Sequence, residues 1–462
     1  MVIRIEFCKL TVFVTGSCEP DPVKNILMSK VQPIRIACIS VLTILVLMLT
    51  IRGKWDQKPE VFQPGDPGRI FDNPDLQLLG EKLFFDATLS DPPGQSCATC
   101  HDPETGWTGS DELVNRTGGV YPGAVKERYG NRKPNSAAYA TLSPTFHAFK
   151  TDNEVQFAGG NFWDGRATGL VLGNPAADQA QGPFLNPVEQ NLPDAVTLVN
   201  KVCNSPYVSL FEKVATGIWG VKNICSSRDI NLQFGIIGNA IAAFENSSAV
   251  NQFSSKFDHF LKGEAGLTPN ELEGLKLFEG KAKCAKCHTS KPEMQGVPPL
   301  FTDFTFENVG VPRNPQNPWY TMDVSLNSKG PDWVDPGLGG YLMEVPEFEE
   351  YAVENLGKHQ VPTLRNVDKR LHSGFIKAFG HNGYFKSLEE IIHFYNTRDV
   401  LPVPEKVTNP LPGINCWPKP EVTENLNREE TGNLGLTKEE ETAIVAFLRT
   451  LSDGYETGSG KK

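Results

Sequence analysis

Cysteine and histidine fall twice into the pattern Cys-x-x-Cys-His, at Cys97-Ala98-Thr99-Cys100-His101 and at Cys284-Ala285-Lys286-Cys287-His288. Two thiols so spaced on a tight turn can form thioethers with both vinyl groups of one haem, and the adjacent imidazole then faces the iron as its proximal ligand. Zinc sites and redox dithiols also use Cys-x-x-Cys. A zinc ribbon needs its two pairs within roughly 15–20 residues of each other, whereas Cys97 and Cys284 stand far beyond that and each pair brings its own His. A redox dithiol has no use for that His. The pattern predicts two covalent c-type haems, one on Cys97, Cys100 and His101, the other on Cys284, Cys287 and His288.

The same phrase leads into both motifs. Leu79-Gly80-Glu81-Lys82-Leu83-Phe84 precedes the first, and Glu273-Gly274-Leu275-Lys276-Leu277-Phe278 the second. An amphipathic helix thus delivers the chain to the same kind of site twice, which is one duplication and not a short-period repeat. A boundary fits near Lys262–Leu267, where Gly263 and Gly266 precede Thr268 and Glu271, a capping box with Pro269 at the first helical position. Helical periodicity is clear in Leu272–Phe278, Ile236–Phe244 and Lys438–Leu451, the last opened by Thr437 and Glu440 as a second capping box. Strand patterns are scarce, and Pro292–Gly357 reads as irregular loop. A haem would supply the apolar surface on which short helices and loops can pack.

Of the 462 residues 39% are hydrophobic and 21% charged, which excludes a collagen-like, multi-span or plainly disordered chain. The formal net charge of −11 is the wrong sign for a partner of nucleic acid and favours positively charged partners. Ten cysteines are too few for a disulfide scaffold. Cys8, Cys18 and Cys38 lie at the extreme N-terminus; Cys203 and Cys225 would close a loop of ordinary size if the compartment is oxidising; Cys416 has no obvious partner. The apolar run Ile36–Ile51, preceded by Lys24, Lys30 and Arg35, is short for a membrane span and right for an export signal or an inner-membrane anchor. Met28 makes a more ordinary start than Met1. Thioether attachment and export agree with a periplasmic protein.

Four further phrases occur in order: Phe162-Trp163-Asp164-Gly165-Arg166-Ala167, Gly182-Pro183-Phe184-Leu185-Asn186-Pro187-Val188-Glu189, Val361-Pro362-Thr363-Leu364-Arg365-Asn366 and His381-Asn382-Gly383. With the two motifs, they make the sequence resemble the dihaem cytochrome c peroxidase superfamily, its methylamine-utilisation (MauG-type) branch in particular, over about residues 70–450. The resemblance implies a mainly α fold of two cytochrome c-like domains, each around one covalent haem, with long irregular loops. On that basis the chain divides into an N-terminal signal or anchor segment (1–60), a peroxidatic-haem domain (61–262), an electron-transfer-haem domain (263–455) and a flexible tail (456–462).

The same resemblance implies residue roles. Glu189 matches the acid–base carboxylate, which takes a proton from the near oxygen of hydrogen peroxide and returns it to the leaving one. Gln179 matches a distal glutamine, although the segment from Arg166 to Gln179 is longer than usual. Trp163 matches the tryptophan between the haems, and Gln190 stands where many relatives have Met. Counted from His381, the family's sixth ligand of haem two falls on Tyr395, where most peroxidases carry Met and the MauG-type branch carries Tyr. The local pattern agrees: Ser387 and Glu390 suggest a capping box, and Leu388, Ile391, Ile392 and Tyr395 recur on one helical face, with His393 pointing elsewhere. A phenolate favours ferric and higher states where a thioether favours ferrous iron, which argues for an oxidant shared by both haems over routine peroxide scavenging. His147, the only His between His101 and Trp163, reads as a structural loop residue and not as a distal ligand, so haem one is expected to be open.

The expected activity is therefore that of a peroxidase-type oxidoreductase. Its electrons come from a small c-type cytochrome or cupredoxin, or from a protein substrate that it modifies oxidatively, and it works as a monomer or homodimer. The opposing reading is a non-enzymatic dihaem electron carrier. Family members often hold a Ca2+ between the domains; Ile376-Lys377-Ala378 lacks the usual Thr and Pro, and Tyr139 stands near the expected Asn, but carbonyl ligands need no particular side chain, so calcium stays open.

Overall fold

Asn73 opens the first long helix, α1 (Pro74–Phe85): its side chain accepts from the amides of Asp75 and Leu76 at 3.0 and 3.1 Å, and Pro74 needs no partner for the N–H it lacks. This computed structural model describes residues 70–457 apart from 152, 153, 293 and 295. The apolar run Ile36–Ile51, the three N-terminal cysteines and residues 458–462 lie outside the described residues. The other long helices are α2 (Pro175–Leu185), α3 (Ala195–Cys203), α4 (Val208–Trp219), α5 (Ile230–Asn246), α6 (Pro269–Glu279), α7 (Leu388–Thr397) and α8 (Lys438–Leu448). Strands are few and short. β1 (His147–Lys150) pairs antiparallel with β2 (Val155–Ala158), and β3 (Phe306–Glu307) pairs antiparallel with β4 (His359–Gln360), Phe306 opposite Gln360. Short turns and loops make up most of the remainder, including most of 292–357.

The duplicated phrase has a packing cause. α1 crosses α5 and α6 crosses α8, and each crossing is made at the glycine of the phrase. A Cβ on Gly80 would fall on the carbonyl oxygen of Ala240 and lie 2.8 Å from the Phe244 side chain; a Cβ on Gly274 would fall on the carbonyl of Ala443 and lie 2.8 Å from Phe447. Leu83 and Phe84 are buried beside the first crossing, Leu277 and Phe278 beside the second. Gly80→Ala and Gly274→Ala should each force their helices apart and cost about 1–3 kcal/mol. Thermal unfolding of the haem-loaded protein reads this as a lower midpoint, and an unchanged midpoint would mean that the crossings are not tight.

Two hydrophobic cores result. One gathers Leu79, Leu83, Phe84, Ile237, Phe244 and Phe211; the other gathers Phe278, Phe301, Phe394, Ile444, Phe447 and Trp417. A smaller cluster of Phe146, Phe157, Phe306 and Leu338 seats the β1–β2 hairpin on the second half of the chain. The phrase Val361–Asn366 is a staple. Arg365, fully buried, grips both oxygens of Asp258 at 2.9 and 3.0 Å and the carbonyl of Pro299 at 2.7 Å, while Asn366 donates to Asp453 at 2.8 Å. Burying that charge is tolerable because Asp258 pairs with it at both oxygens and Nε is bonded to the carbonyl of Pro299.

Cys203 and Cys225 form a disulfide that ties the end of α3 to the turn before α5, and Cys416 is buried and unpaired among the described residues. Thr268 and Thr437 make the capping boxes that their spacing suggested. Ser387 makes only half of one: it caps Glu390 N, but the Glu390 carboxylate turns one residue further back, to the amide of Lys386 at 2.7 Å. Among the described residues no helix is long and apolar enough to cross a membrane.

Candidate functional site

The first motif is a single helical turn, Cys97–Cys100, with Thr99 Oγ1 accepting from the amide of Ser96 at 3.0 Å and the amide of His101 donating to the carbonyl of Cys97 at 2.9 Å. That turn sets both thiols and the imidazole on one wall. The ring of His101 is oriented from behind, Nδ1 lying 3.2 Å from the carbonyl of Trp107, so Nε2 keeps the lone pair. The second motif repeats the device, with His288 Nδ1 2.8 Å from the carbonyl of Phe301. Burial lowers both imidazoles to about 4, which leaves them neutral and able to ligate. Burial also pushes the four thiols up, Cys100 and Cys284 to about 12.

Both motifs open onto one cavity of about 760 Å³. Cys97, Cys100, His101, Cys284, Cys287, His288, Trp163, Gln179, Glu189 and Tyr395 all line it. Its lining among the described residues contains no methionine, and its histidines are His101, His288, His359 and His381. His147 is not part of it: it stands on β1 with Nδ1 2.8 Å from the carbonyl of Thr145.

On the side of the first motif, α2 carries Gln179 and ends in the turn that presents Glu189. Asn186 Nδ2 donates to Glu189 Oε2 at 2.8 Å. Burial pushes this carboxyl up, against the smaller downward pull of Asn186 and Arg166. Gln190 is buried with its amide 3.9 Å from Cys97 Sγ. Glu245, on α5 and close enough to act on Cys97, was not singled out from sequence; burial alone raises it to about 8, so it is uncharged at neutral pH. A lone Glu in an apolar helix repeat gives that signal, weakly.

Trp163 lines the same cavity, its indole N–H donating to the carbonyl of Lys133 at 2.8 Å and its ring 6.3 Å from that of His381, edge to face. Beside it lies a buried polar group. Arg132 bridges Asp164 and both oxygens of Asp335, and against the upward push of burial it holds Asp335 well below the usual carboxylate range. His359 and His381 stack at 3.6 Å with their planes 9° apart, and with Asp335 they bring three ligand atoms within 4.8 Å of one another. Parallel rings send their lone pairs side by side, and Arg132 already spans Asp335, so the trio reads as a polar wall and not as a metal centre.

On the side of the second motif, α7 turns Leu388, Ile391, Ile392 and Tyr395 into the cavity, while His393 lies against Glu441 at 2.9 Å on another face. Burial first, then the neighbouring Cys284 and Cys287, push the Tyr395 phenol up. No hydrogen bond among the described residues engages its hydroxyl.

The donor set therefore fits a covalent haem at each motif: a pair of uncharged thiols, an imidazole with its tautomer fixed, and an apolar enclosure. It does not fit calcium at residues 376–378. The carbonyl of Ile376 accepts from Asn115 Nδ2 at 3.2 Å, and Lys377 Nζ donates to three carbonyls of other segments, those of Thr105, Asn366 and Lys369. A calcium ion needs six to eight oxygens, and here the carbonyls of Ile376, Thr105, Asn366 and Lys369 are already engaged by N–H donors, with a lysine amine in their midst. Tyr139 looks elsewhere, donating to Asp453 at 2.6 Å.

Residues 74–266 match the family model described as di-haem cytochrome c peroxidase. The chain is 33% identical over 423 residues to the methylamine utilization protein MauG of Paracoccus denitrificans, covering 91% of this chain and 96% of that one. It is 26% identical to the cytochrome-c peroxidase IdrP2 of Denitromonas iodatirespirans, covering 82% of each. Among solved structures, the diheme peroxidase BthA of Burkholderia thailandensis superposes with a TM-score of 0.66 at 28% identity, covering 82% of this chain and 86% of that one.

Proposed function

The chain belongs to the di-haem cytochrome c peroxidase family, to which MauG also belongs, and on that premise we propose that it is an exported peroxidase with an open haem one and a tyrosine-ligated haem two. The observation that carries this reading is the chemistry of the two cavity walls. The wall of the first motif offers a buried carboxyl and that of the second a phenol, and the lining among the described residues holds no methionine. When bound, the haem on Cys97, Cys100 and His101 supplies reaction with hydrogen peroxide, and the haem on Cys284, Cys287 and His288 supplies electron relay or storage.

The chain's own residues do the rest. Glu189 takes a proton from peroxide at the oxygen that Asn186 leaves free and returns it to the departing oxygen, and burial suits a carboxyl to hold that proton. Gln179 faces the same space from α2. Trp163, fixed by Lys133 and His381, places an indole π system between the two sites. The electron donor is a small c-type cytochrome or cupredoxin, or the oxidisable side chains of a protein substrate, as the relation to MauG suggests. The two cytochrome c-like domains of the proposal are centred on the two helix crossings, and the segment before residue 61 directs export.

Mixing the fully ferric protein with hydrogen peroxide in a stopped-flow instrument should change the Soret band at once, with no prior reduction. A Soret band that responds only after one haem has been reduced would refute an open haem one. Turnover with reduced cytochrome c then separates a scavenger from a protein modifier.

A further inference from the structure

The turn behind His101 is held by two lysines, Lys377 buried and Lys133 half-buried. Its backbone is unusual: Gly106 and then Trp107 both take positive φ, 77° and 62°, and Trp107 is the residue whose carbonyl faces His101 Nδ1. A non-glycine residue in that region stays there only when its surroundings hold it. Thr105 Oγ1 closes the turn on the carbonyl of Thr108 at 2.8 Å. Lys377, from the far half of the chain, donates to the carbonyl of Thr105 at 2.9 Å and to those of Lys369 and Asn366 at 3.0 and 3.2 Å. Lys133 donates to Thr108 Oγ1 and to the carbonyl of Pro134, both at 2.9 Å, so the turn is gripped at each end.

Lys377 is buried and Lys133 half-buried, burial pulls both amines down, Lys133 to about 8 and Lys377 well below the ordinary lysine range, and among the described residues no carboxylate hydrogen-bonds to either. Three carbonyl acceptors around Lys377 call for three N–H donors, which an ammonium has and a neutral amine lacks. The main chain of Lys133 also carries the indole of Trp163 on its carbonyl and donates to the carbonyl of His381 at 2.7 Å. One residue thereby links the proximal turn to the aromatic between the two sites.

We propose that Lys377 and Lys133 act as built-in cations that position the proximal turn of haem one, in a protein that binds no calcium. The proposal rests on His101 as the proximal ligand of that haem, and it makes the two lysines positioning residues, since neither touches the reacting atoms. Removing the Lys377 amine leaves the carbonyls of Thr105 and Lys369 without donors, removing the Lys133 amine takes one of two donors from the carbonyl of Pro134, and the strained turn relaxes. The hydrogen bond from His101 to Trp107 then weakens, and with it the bond between imidazole and iron.

The test uses the full-length haem-loaded protein. Elemental analysis before and after dialysis against EGTA should find sub-stoichiometric calcium, with the electron paramagnetic resonance spectrum unchanged by the chelator. In Lys377→Met and Lys133→Met, resonance Raman of the ferrous protein should show the iron–histidine stretch of haem one moved to lower frequency, with two haems per chain retained and the haem two signals in place; Lys377→Arg should restore part of the shift. One tightly held calcium per chain, with haem one altered by its removal, would overturn the proposal. So would a Lys377→Met protein that melts earlier but keeps the wild-type stretch. The chelator arm needs no variant, so it decides even where a variant fails to accumulate. A wild-type haem count below two would overturn the ligand reading itself, and the proposal with it.

Discussion

Glu189→Gln should slow the reaction of the ferric protein with hydrogen peroxide by about 10²–10⁴-fold, the usual worth of one positioned acid–base group. The amide keeps the shape of the carboxyl and can still accept from Asn186, so the loss isolates proton transfer from packing. The pH profile gives a second reading of the same residue. Burial raises the Glu189 carboxyl, so the proton-accepting carboxylate forms only as pH rises through that raised value. The wild-type rate should therefore climb with pH on an acid limb displaced above the ordinary carboxylate range, and the variant should lack that limb. A variant within a few-fold of wild type, with its acid limb intact, would remove Glu189 from the mechanism.

Tyr395→Met should raise the reduction potential of haem two by on the order of 0.1 V or more, since axial ligands move haem potentials over roughly 0.8 V. The reason lies in charge. The phenol of Tyr395 is pushed up by burial, so in the apolar enclosure it would keep its proton unless a cation replaced it. Ferric iron is such a cation, and a phenolate then stabilises the ferric state and lowers the potential. A thioether carries no charge and favours ferrous iron, so the variant should accept electrons from a reduced small cytochrome more readily than the wild type does. A redox titration in which wild type and variant share one haem two potential would show that the phenol oxygen is not on the iron.

What could be read in the sequence was local. The thiols and imidazole of each motif sit within one helical turn, so their spacing alone placed them on one wall of the cavity. The Gly-x-x-Leu-Phe phrase and the Thr268 and Thr437 caps are likewise written within a few residues. Tyr395 needed both a helical face and a resemblance, since a buried phenol by itself points to nothing. Three helices between Pro175 and Trp219 and the β1–β2 hairpin were not anticipated: Pro183 sits inside α2, and the hairpin strands are only four residues each.

The lysines were illegible for a different reason. Nothing near Lys377 in sequence says that its amine meets Thr105, a carbonyl on the far side of the duplication. Arg132 and Asp335 are as remote from each other, and His359 and His381 become neighbours only through the fold. Partners so distant in the chain leave no periodicity and no motif.

Electron paramagnetic resonance of the fully oxidised protein reports both irons at once and bears on the asymmetry between the two cavity walls most directly. With the first site open and Tyr395 on the second iron, the spectrum should contain one high-spin ferric signal and one low-spin signal that Tyr395→Phe alters while leaving the high-spin signal in place. Two low-spin signals, both indifferent to Tyr395→Phe, would contradict the open site and the phenolate ligand together.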